Sequence, residues 1–373
     1  MKAERKTVKL PVFCKVIYGL AAVCLVLYFL FVRIPAFADW FNRWISSAGR
    51  RILSFFTVLL PFSVAELLFL FLPVFLGIVI YRVIRIHSKS AAAVRVFFGR
   101  VAALICLVAI LFVLCFAPGY YGSTLDKKLG LERAPVGAEE LYQTALILTE
   151  KLNDLADGLT TLDSGSTIMP YTIAELNRKL AAAYENYIVD KAFPDHFYSR
   201  VKPLMISKLF SYAHITGVYT FFTGEANINV DFPDYCIPFT AAHELAHQRG
   251  VAREDEANFI AFLVCYCSDD AYLQYSGYLN LYEYVSNALY SADYELWKTA
   301  WANLDERVKS EERAYAAFFE QYRDNVIGTA SEQVNDFYLR SQGAAAGTRS
   351  YNLVVDLAVA FFRDRFPAPA DKN

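Results

Sequence analysis

The sequence predicts a mainly α-helical membrane protein, with an N-terminal region of three spans followed by a mostly helical domain that contains one small β element. Two observations predict this fold class. Long apolar runs with almost no charge occupy much of the first 117 residues, and hydrophobic residues make up 56% of the chain, above the ~45–50% usual in soluble domains. Amphipathic helical patterns fill the rest, interrupted by one stretch rich in β-formers and turn-formers at residues 214–235.

Three apolar stretches are long enough to cross a bilayer, which takes about 20 residues. We place the spans at 12–34, 58–81 and 96–117 in a transmembrane region of residues 1–117. Pro61 and Pro73 interrupt the middle stretch, which predicts a bent helix or an interfacial turn that leads into the span. The first run is longer than the apolar core of a signal peptide and lacks a small-x-small cleavage site, so we interpret it as a retained anchor. A cleaved leader is the alternative interpretation.

The charge distribution predicts an orientation and excludes one class of partner. Residues 1–117 hold 14 basic and 3 acidic side chains, whereas the rest of the chain holds 22 and 35. The basic residues are densest in the N-terminal segment and in loop 82–100, which predicts that both lie in the cytoplasm. We therefore expect a multi-pass protein of the cell membrane, in contact with the lipid bilayer, whose C-terminal domain is extracytoplasmic. The acidic balance of that domain argues against nucleic acid as a partner.

The C-terminal part is organised as a tether and one domain. Residues 118–136 are rich in glycine, proline and charge and are interpreted as the tether, so the domain spans 137–373. Within it, Thr172 lies three residues before Glu175, the spacing of a helix capping box. The tyrosine-rich segment 271–297 is interpreted as part of a core or of a membrane-facing collar.

One segment, PFTAAHELAHQRGVAREDEANFIAF at 238–262, carries the functional prediction. His243 and His247 are four residues apart, so one face of a helix presents both imidazoles to a single Zn²⁺. Glu244 lies one step round that helix and can reach a water at the metal without being a ligand. Gly250 predicts the end of the helix, and a second helix with three acidic residues follows it.

An acidic residue of the second helix completes the predicted metal site. If the chain folds back at the glycine, residues equidistant from the turn face each other, so Glu254 lies opposite His247. Asn258 then lies opposite His243 and is expected to orient it. Glu256 points about 200° away from Glu254, at about 100° per residue, and is the alternative third ligand. We therefore predict two histidines and Glu254 as the ligands.

The pattern resembles the gluzincin metallopeptidases, in which HExxH precedes a ligand glutamate within E-x-x-A-[DN]. Here Glu254 to Asn258 spells that motif, and six residues separate it from His247, fewer than in the better-known gluzincins. The chain also resembles an uncharacterised bacterial family of membrane proteins, a domain of unknown function with the motifs TGEAN at 223–227, HELAHQRG and EDEANFIA. The resemblance implies a zincin-like domain that binds Zn²⁺ and hydrolyses peptide bonds, with Glu244 as the general base.

The expected function is that of a membrane-anchored zinc metallopeptidase acting on a peptide or protein substrate. The alternative is a non-catalytic zinc-binding sensor or scaffold with the same fold. The strand-like stretch before the motif can hold an extended peptide by edge pairing, with Glu225 and Asn227 as candidate substrate contacts. An oxyanion-stabilising side chain is expected among four candidates: His214, Tyr219, Tyr275 and Tyr278.

Overall fold

A computed structural model of the protein confirms the mainly helical fold class, with 73% helix and 4% strand. It describes residues 9–87, 91–191, 196, 198–323, 325–343 and 353–366. The basic N-terminal residues 1–8, part of the loop at 82–100 and the C-terminal residues 367–373 lie outside the described residues. The chain divides into two compact units, one of Met1–Gly122 with Thr220–Glu225 and one of Ser123–Tyr219 with Ala226–Asn373.

The first unit contains the apolar helices. In chain order its elements are α1 (Val12–Arg33), α2 (Pro35–Phe41), a π-helical turn (Asn42–Ser46), α3 (Ser47–Val58), α4 (Val64–His87), α5 (Ala91–Cys115) and α6 (Pro118–Tyr121). Helices α1, α4 and α5 are each long and apolar enough to cross a membrane. The middle one begins at Val64 rather than at residue 58, because a turn that contains Pro61 separates it from α3.

A buried arginine joins α3 to the end of α5 within this unit. Arg50 is 1% exposed, and its guanidinium donates hydrogen bonds of 2.8 Å to the side-chain oxygen of Asn42 and to the carbonyl oxygen of Cys115. A buried cation is costly unless such partners surround it. Arg50 therefore links α3 to the C-terminal end of α5 through a buried polar contact.

The first turn of α4 is capped by a residue distant in sequence. The two carboxylate oxygens of Glu225 accept hydrogen bonds from the backbone N–H groups of Val64 at 3.0 Å and Ala65 at 2.9 Å. A carboxylate at a helix N-terminus satisfies amides that have no partner within the helix and interacts favourably with the helix dipole. Glu225, a candidate for substrate contact in the sequence, is thus engaged in capping a helix.

The second unit contains the other helices and most of the sheet. Its elements are α7 (Leu125–Leu129), α8 (Ala138–Ala156), α9 (Ile173–Lys191), β1 (Val201–Pro203), α10 (Ser207–Tyr212), β2 (Gly217–Thr220), β3 (Glu225–Ile228), α11 (Cys236–Gln248), α12 (Glu254–Tyr266), α13 (Ala271–Ala292), α14 (Tyr294–Ala302), α15 (Glu306–Glu320), α16 (Val326–Ser341) and α17 (Val354–Phe362). The segment 118–136, expected to be a tether, holds α6 and α7. Leu125 in α7 is 1% exposed and belongs to the hydrophobic core of this unit.

The small sheet precedes the helix that carries the histidines. Its strand order is β1-β3-β2, and β1 pairs in parallel with β3. Strands β2 and β3 fall inside the β-rich stretch 214–235 predicted from the sequence, whereas β1 lies outside it and was not predicted. Residues 220–225, which end β2 and begin β3, group with the first unit.

The core of the second unit is formed largely by α8, α11, α12, α13 and α17.

Local sequence signals mark the first residues of several helices in this unit. Thr172 and Glu175 form the predicted capping box at the start of α9, with mutual hydrogen bonds of 2.9 and 3.3 Å. Side chains at the N-caps of α13 to α16 accept hydrogen bonds from the first turns: Asp270, Asp293, Asp305 and Asn325. Helix α12, which precedes α13, is buried on nearly every side.

Candidate metal centre

A left-handed glycine folds α12 back against α11. Gly250 has φ of 98°, a conformation that only glycine adopts without strain. Its N–H donates to the carbonyl of His247 at 2.9 Å, and the N–H of Val251 donates to that of Ala246 at 3.1 Å, which closes the end of α11. Because α12 then begins at Glu254, its first turn lies beside the last turn of α11.

Three side chains converge at this helix pair. One carboxylate oxygen of Glu254 lies 3.3 Å from Nε2 of His243 and 3.3 Å from Nε2 of His247. One ligand atom from each of the three residues falls within 4.8 Å of the others. Ligands held about 2.05 Å from a tetrahedral zinc ion lie about 3.3 Å apart, whereas a charge-assisted hydrogen bond is shorter, about 2.7–2.9 Å. The two observed Nε2–Oε2 separations match the spacing of neighbouring ligands around one tetrahedral cation.

Each of the two histidines has a second hydrogen-bond partner besides Glu254. Nδ1 of His247 lies 2.7 Å from the carbonyl oxygen of Val251, which makes Nδ1 the donor and leaves Nε2 facing Glu254. His243 is hydrogen-bonded to the side chain of Asn258. The amide nitrogen of Asn258 in turn donates to the hydroxyl of Tyr284 at 3.2 Å. Asn258 therefore lies beside His243, where the helix-hairpin argument expected it.

The other two acidic residues at the start of α12 have different partners. Glu256 is 4% exposed, and its carboxylate accepts a hydrogen bond from the backbone N–H of Leu125 at 2.9 Å. Asp255 forms an ion pair with Arg133 at 3.1 Å. The structure thus brings Glu254, and neither Asp255 nor Glu256, to the two histidines.

Strand β2 covers the glutamate of the HExxH motif. Glu244 is 4% exposed, and a Cβ atom built on Gly217 would lie 2.6 Å from its Oε1. The backbone N–H of Tyr219 donates to the carboxylate, while within the described part of the chain its buried Oε2 has no hydrogen-bond partner. Burial raises the pKa of Glu244 to about 8, although His247 opposes the shift. A buried carboxylate oxygen without a partner is a site that a water molecule would satisfy.

The charges of the three convergent residues are coupled. Burial alone would lower the pKa of His247, but Glu254 outweighs burial and raises that pKa to about 9. Burial and the neighbouring His247 lower the pKa of His243. Burial would raise the pKa of Glu254, but the two histidines hold it well below its usual range. An ionised carboxylate therefore faces two imidazoles, and a divalent cation can replace the proton that they share.

Three of the four candidates for oxyanion stabilisation have other surroundings. His214 has φ of 57°, and its Nε2 lies 2.8 Å from the carbonyl oxygen of Tyr322. The hydroxyl of Tyr275 donates to Glu311 at 3.4 Å. Tyr278 is 5% exposed and packs its ring among other aromatic side chains of the core. The fourth candidate, Tyr219, donates its backbone N–H to the carboxylate of Glu244.

Asn227 has a different role from the substrate contact predicted for it, and Tyr284 lies near the histidines although the sequence did not single it out. The side-chain amide of Asn227 donates to the carbonyl oxygen of Val218 at 3.2 Å, so it ties β3 to β2. Tyr284 adjoins the candidate metal centre through Asn258 but lies within the tyrosine-rich segment, where neighbouring tyrosines such as Tyr282 are core residues. No local pattern separates Tyr284 from those tyrosines, because its position depends on how α13 packs against α12.

Comparison with known proteins identifies a family without identifying a function. No curated protein and no solved structure matches the chain. No zincin or metallopeptidase family is indicated, so the likeness to gluzincins rests on the motif residues alone. Residues 37–359 match the family described as "Protein of unknown function (DUF3810)". The match covers most of the sequence, including both helices of the metal centre, and the chain therefore belongs to this family.

Proposed function

We propose that this protein is a membrane-anchored zinc metallopeptidase. The observation that carries the proposal is the convergence of His243, His247 and Glu254 at separations suited to a tetrahedral cation. Two imidazoles and one carboxylate are a donor set typical of catalytic zinc sites, which keep a further position for water or substrate. The unpartnered Oε2 of Glu244, within the described residues, supports a water-binding position beside the three ligands.

Glu244 is the general base of the proposed reaction. A bound zinc ion would supply Lewis acidity and lower the pKa of a coordinated water. The positive charge of a bound zinc ion would also favour the ionised form of Glu244. That carboxylate accepts a proton from the attacking water, whose oxygen bonds to the carbonyl carbon of the substrate. The same carboxyl passes the proton to the leaving nitrogen as the C–N bond breaks. One water is consumed, and the products are a carboxylic acid and an amine.

Strand β2 is the proposed docking edge for the substrate. It lies at one edge of the sheet, and Gly217 and Tyr219 contact Glu244 directly. An extended peptide that pairs with this edge would bring its backbone to the general base. Proteins and peptides are therefore the proposed substrate class.

The proposed location is the outer side of the cell membrane. Helices α1, α4 and α5 have the length and apolar character of an anchor. The excess of basic residues in the N-terminal segment and in loop 82–100 supports a cytoplasmic N-terminus. With three spans, the second unit would then be extracytoplasmic.

One observation favours a non-catalytic zinc site in a sensor or scaffold. The side chains of His243, His247 and Glu254 are only 12%, 8% and 11% exposed. Structural zinc sites are closed, whereas catalytic sites keep an open position. Hydrolysis therefore requires the substrate to enter along β2, and turnover is the property that separates the two functions.

Zinc content and peptide hydrolysis by the full-length protein in lipid nanodiscs test the proposal. We expect one zinc per chain by mass spectrometry and cleavage within a quenched fluorescent peptide library. Glu244→Gln should keep the zinc and lose at least ~10²-fold in kcat, because it removes the general base. Wild-type protein that holds zinc but cleaves no peptide would favour the sensor or scaffold.

A matched pair of variants tests the ligand assignment. Glu254→Gln should lose the zinc, because it removes the anionic ligand. Glu256→Gln makes the same chemical change two residues away, on a side chain that bonds to Leu125, and should keep the zinc. Zinc retained by the first variant and lost by the second would refute the assignment.

A further inference from the structure

The hydroxyl of Tyr284 lies beside the metal centre and comes from a separate helix. Tyr284 is partly buried in α13, and its oxygen is 3.2 Å from the side-chain nitrogen of Asn258. It is close enough to Glu254 for the two groups to interact electrostatically. Tyr284 and Asn258 thus extend the centre beyond its three convergent side chains.

The hydrogen-bond arrangement leaves the proton of this hydroxyl available. The side chain of Asn258 has one acceptor oxygen and one donor nitrogen, and it is hydrogen-bonded to both His243 and Tyr284. The nitrogen donates to Tyr284, and the oxygen is the atom of Asn258 that can accept the N–H of His243. Tyr284 is therefore an acceptor toward Asn258. Among the described residues no acceptor bonds to its own O–H.

The surroundings also keep the hydroxyl protonated. Burial is the main reason that the pKa of Tyr284 is raised above its usual value, and the nearby carboxylates of Glu283 and Glu254 raise it further. A neutral phenol can donate a hydrogen bond throughout the neutral pH range.

We propose that Tyr284 donates a hydrogen bond to the carbonyl oxygen of the bound substrate and stabilises the negative charge that develops there. This inference rests on the proposed peptidase function and adds a second catalytic residue to Glu244. The two groups belong to different elements, since Glu244 is in α11 under β2 and Tyr284 is in α13 next to Asn258. The proposal places the substrate carbonyl between the base on α11 and the hydrogen-bond donor on α13. A donor already held in place before the reaction requires no reorganisation when charge develops.

Tyr284→Phe removes only the hydroxyl and is the direct test. Tyr278→Phe is the matched control, because Tyr278 lies on the same helix but packs in the aromatic core. Full-length variants in nanodiscs would be compared for zinc content, melting temperature, and kcat and KM on a peptide cleaved by the wild type. We expect Tyr284→Phe to keep its zinc and its fold, to lose about 10²–10³-fold in kcat and to change KM little. The control should match the wild type.

A binding measurement decides the same point without turnover. N-phosphoryl-Leu-Trp carries a tetrahedral phosphorus oxyanion in place of the scissile carbonyl, and its affinity for the zinc-loaded protein can be measured by calorimetry. We expect Tyr284→Phe to weaken binding at least tenfold and Tyr278→Phe to leave it unchanged.

The outcomes separate the role of Tyr284 from the proposed function. Equal kcat, or equal affinity for the phosphoryl dipeptide, in wild type and Tyr284→Phe would overturn the role of the hydroxyl. Loss of zinc in Tyr284→Phe would overturn it as well, since the tyrosine would then only position Asn258. A wild type that cleaves no peptide refutes the peptidase function, and the phosphoryl dipeptide still tests the tyrosine. Failure of the wild type both to cleave any peptide and to bind that probe would refute both.

Discussion

Adding a single methyl group at Gly217 should disable the proposed site without touching a metal ligand. In Gly217→Ala the new Cβ would lie 2.6 Å from Oε1 of Glu244, and 2.8 Å from both Cγ of Glu244 and Cγ2 of Thr240. Ordinary contacts between carbon atoms are about 3.5–4.0 Å, so β2 or α11 must move by roughly 0.7 Å or more. A displacement near 1 Å at a reacting group can cost about 10²-fold in rate. Overpacking of this kind also destabilises a fold by about 1–3 kcal/mol.

The assay compares Gly217→Ala with Gly158→Ala, because a Cβ at Gly158 meets no atom within 4 Å. Full-length proteins in nanodiscs would be measured for zinc content, melting temperature and peptide hydrolysis. We expect Gly217→Ala to keep its zinc, to melt several degrees lower and to lose about 10²-fold in kcat. The control should stay close to wild type. A Gly217→Ala protein with wild-type kcat and melting temperature would show that β2 does not press on Glu244 as the structure has it.

Three further changes test other contacts. Asn258→Ala removes the amide that orients His243, and zinc affinity in a chelator competition should fall about 10–100-fold; unchanged affinity would contradict that role. Glu225→Ala removes the carboxylate cap of α4 and should lower the free energy of unfolding by about 0.5–2 kcal/mol, seen as a lower melting temperature at constant zinc content. An unaltered melting temperature would mean that the cap contributes little. Burial raises the pKa of Glu283 to about 7 from an ordinary value of 4.5, so the folded protein keeps a proton that the unfolded chain has lost. Stability should therefore fall as pH rises from about 4.5 to 7, and Glu283→Gln should flatten that fall; parallel pH profiles of melting temperature for the two proteins would refute this.

The features that depend on short stretches of sequence were predictable. The helical class and three apolar helices follow from composition and periodicity, which act over one or two turns of helix. The proximity of His243 and His247 is a property of any α-helix. Gly250 follows His247 closely and adopts the left-handed conformation that reverses the chain, so Glu254 returns to the histidines through a local turn.

The surroundings of the centre were decided only by tertiary structure. Tyr284 reaches Asn258 because α13 packs on α12, and Gly217 lies next to Glu244 because the fold places β2 beside that part of α11. The engagement of Glu256 by Leu125 likewise joins residues far apart in the chain. Each of these contacts joins two segments whose local sequence predicts a helix or a strand but not how the two elements pack together. The sequence by itself predicted the three convergent side chains, with Glu256 as the alternative to Glu254, since they depend on the geometry of one helical turn and one reversal. The packing of helices and strands that are remote in sequence decided which residues surround these three side chains. Only the complete core selects one packing arrangement of those elements.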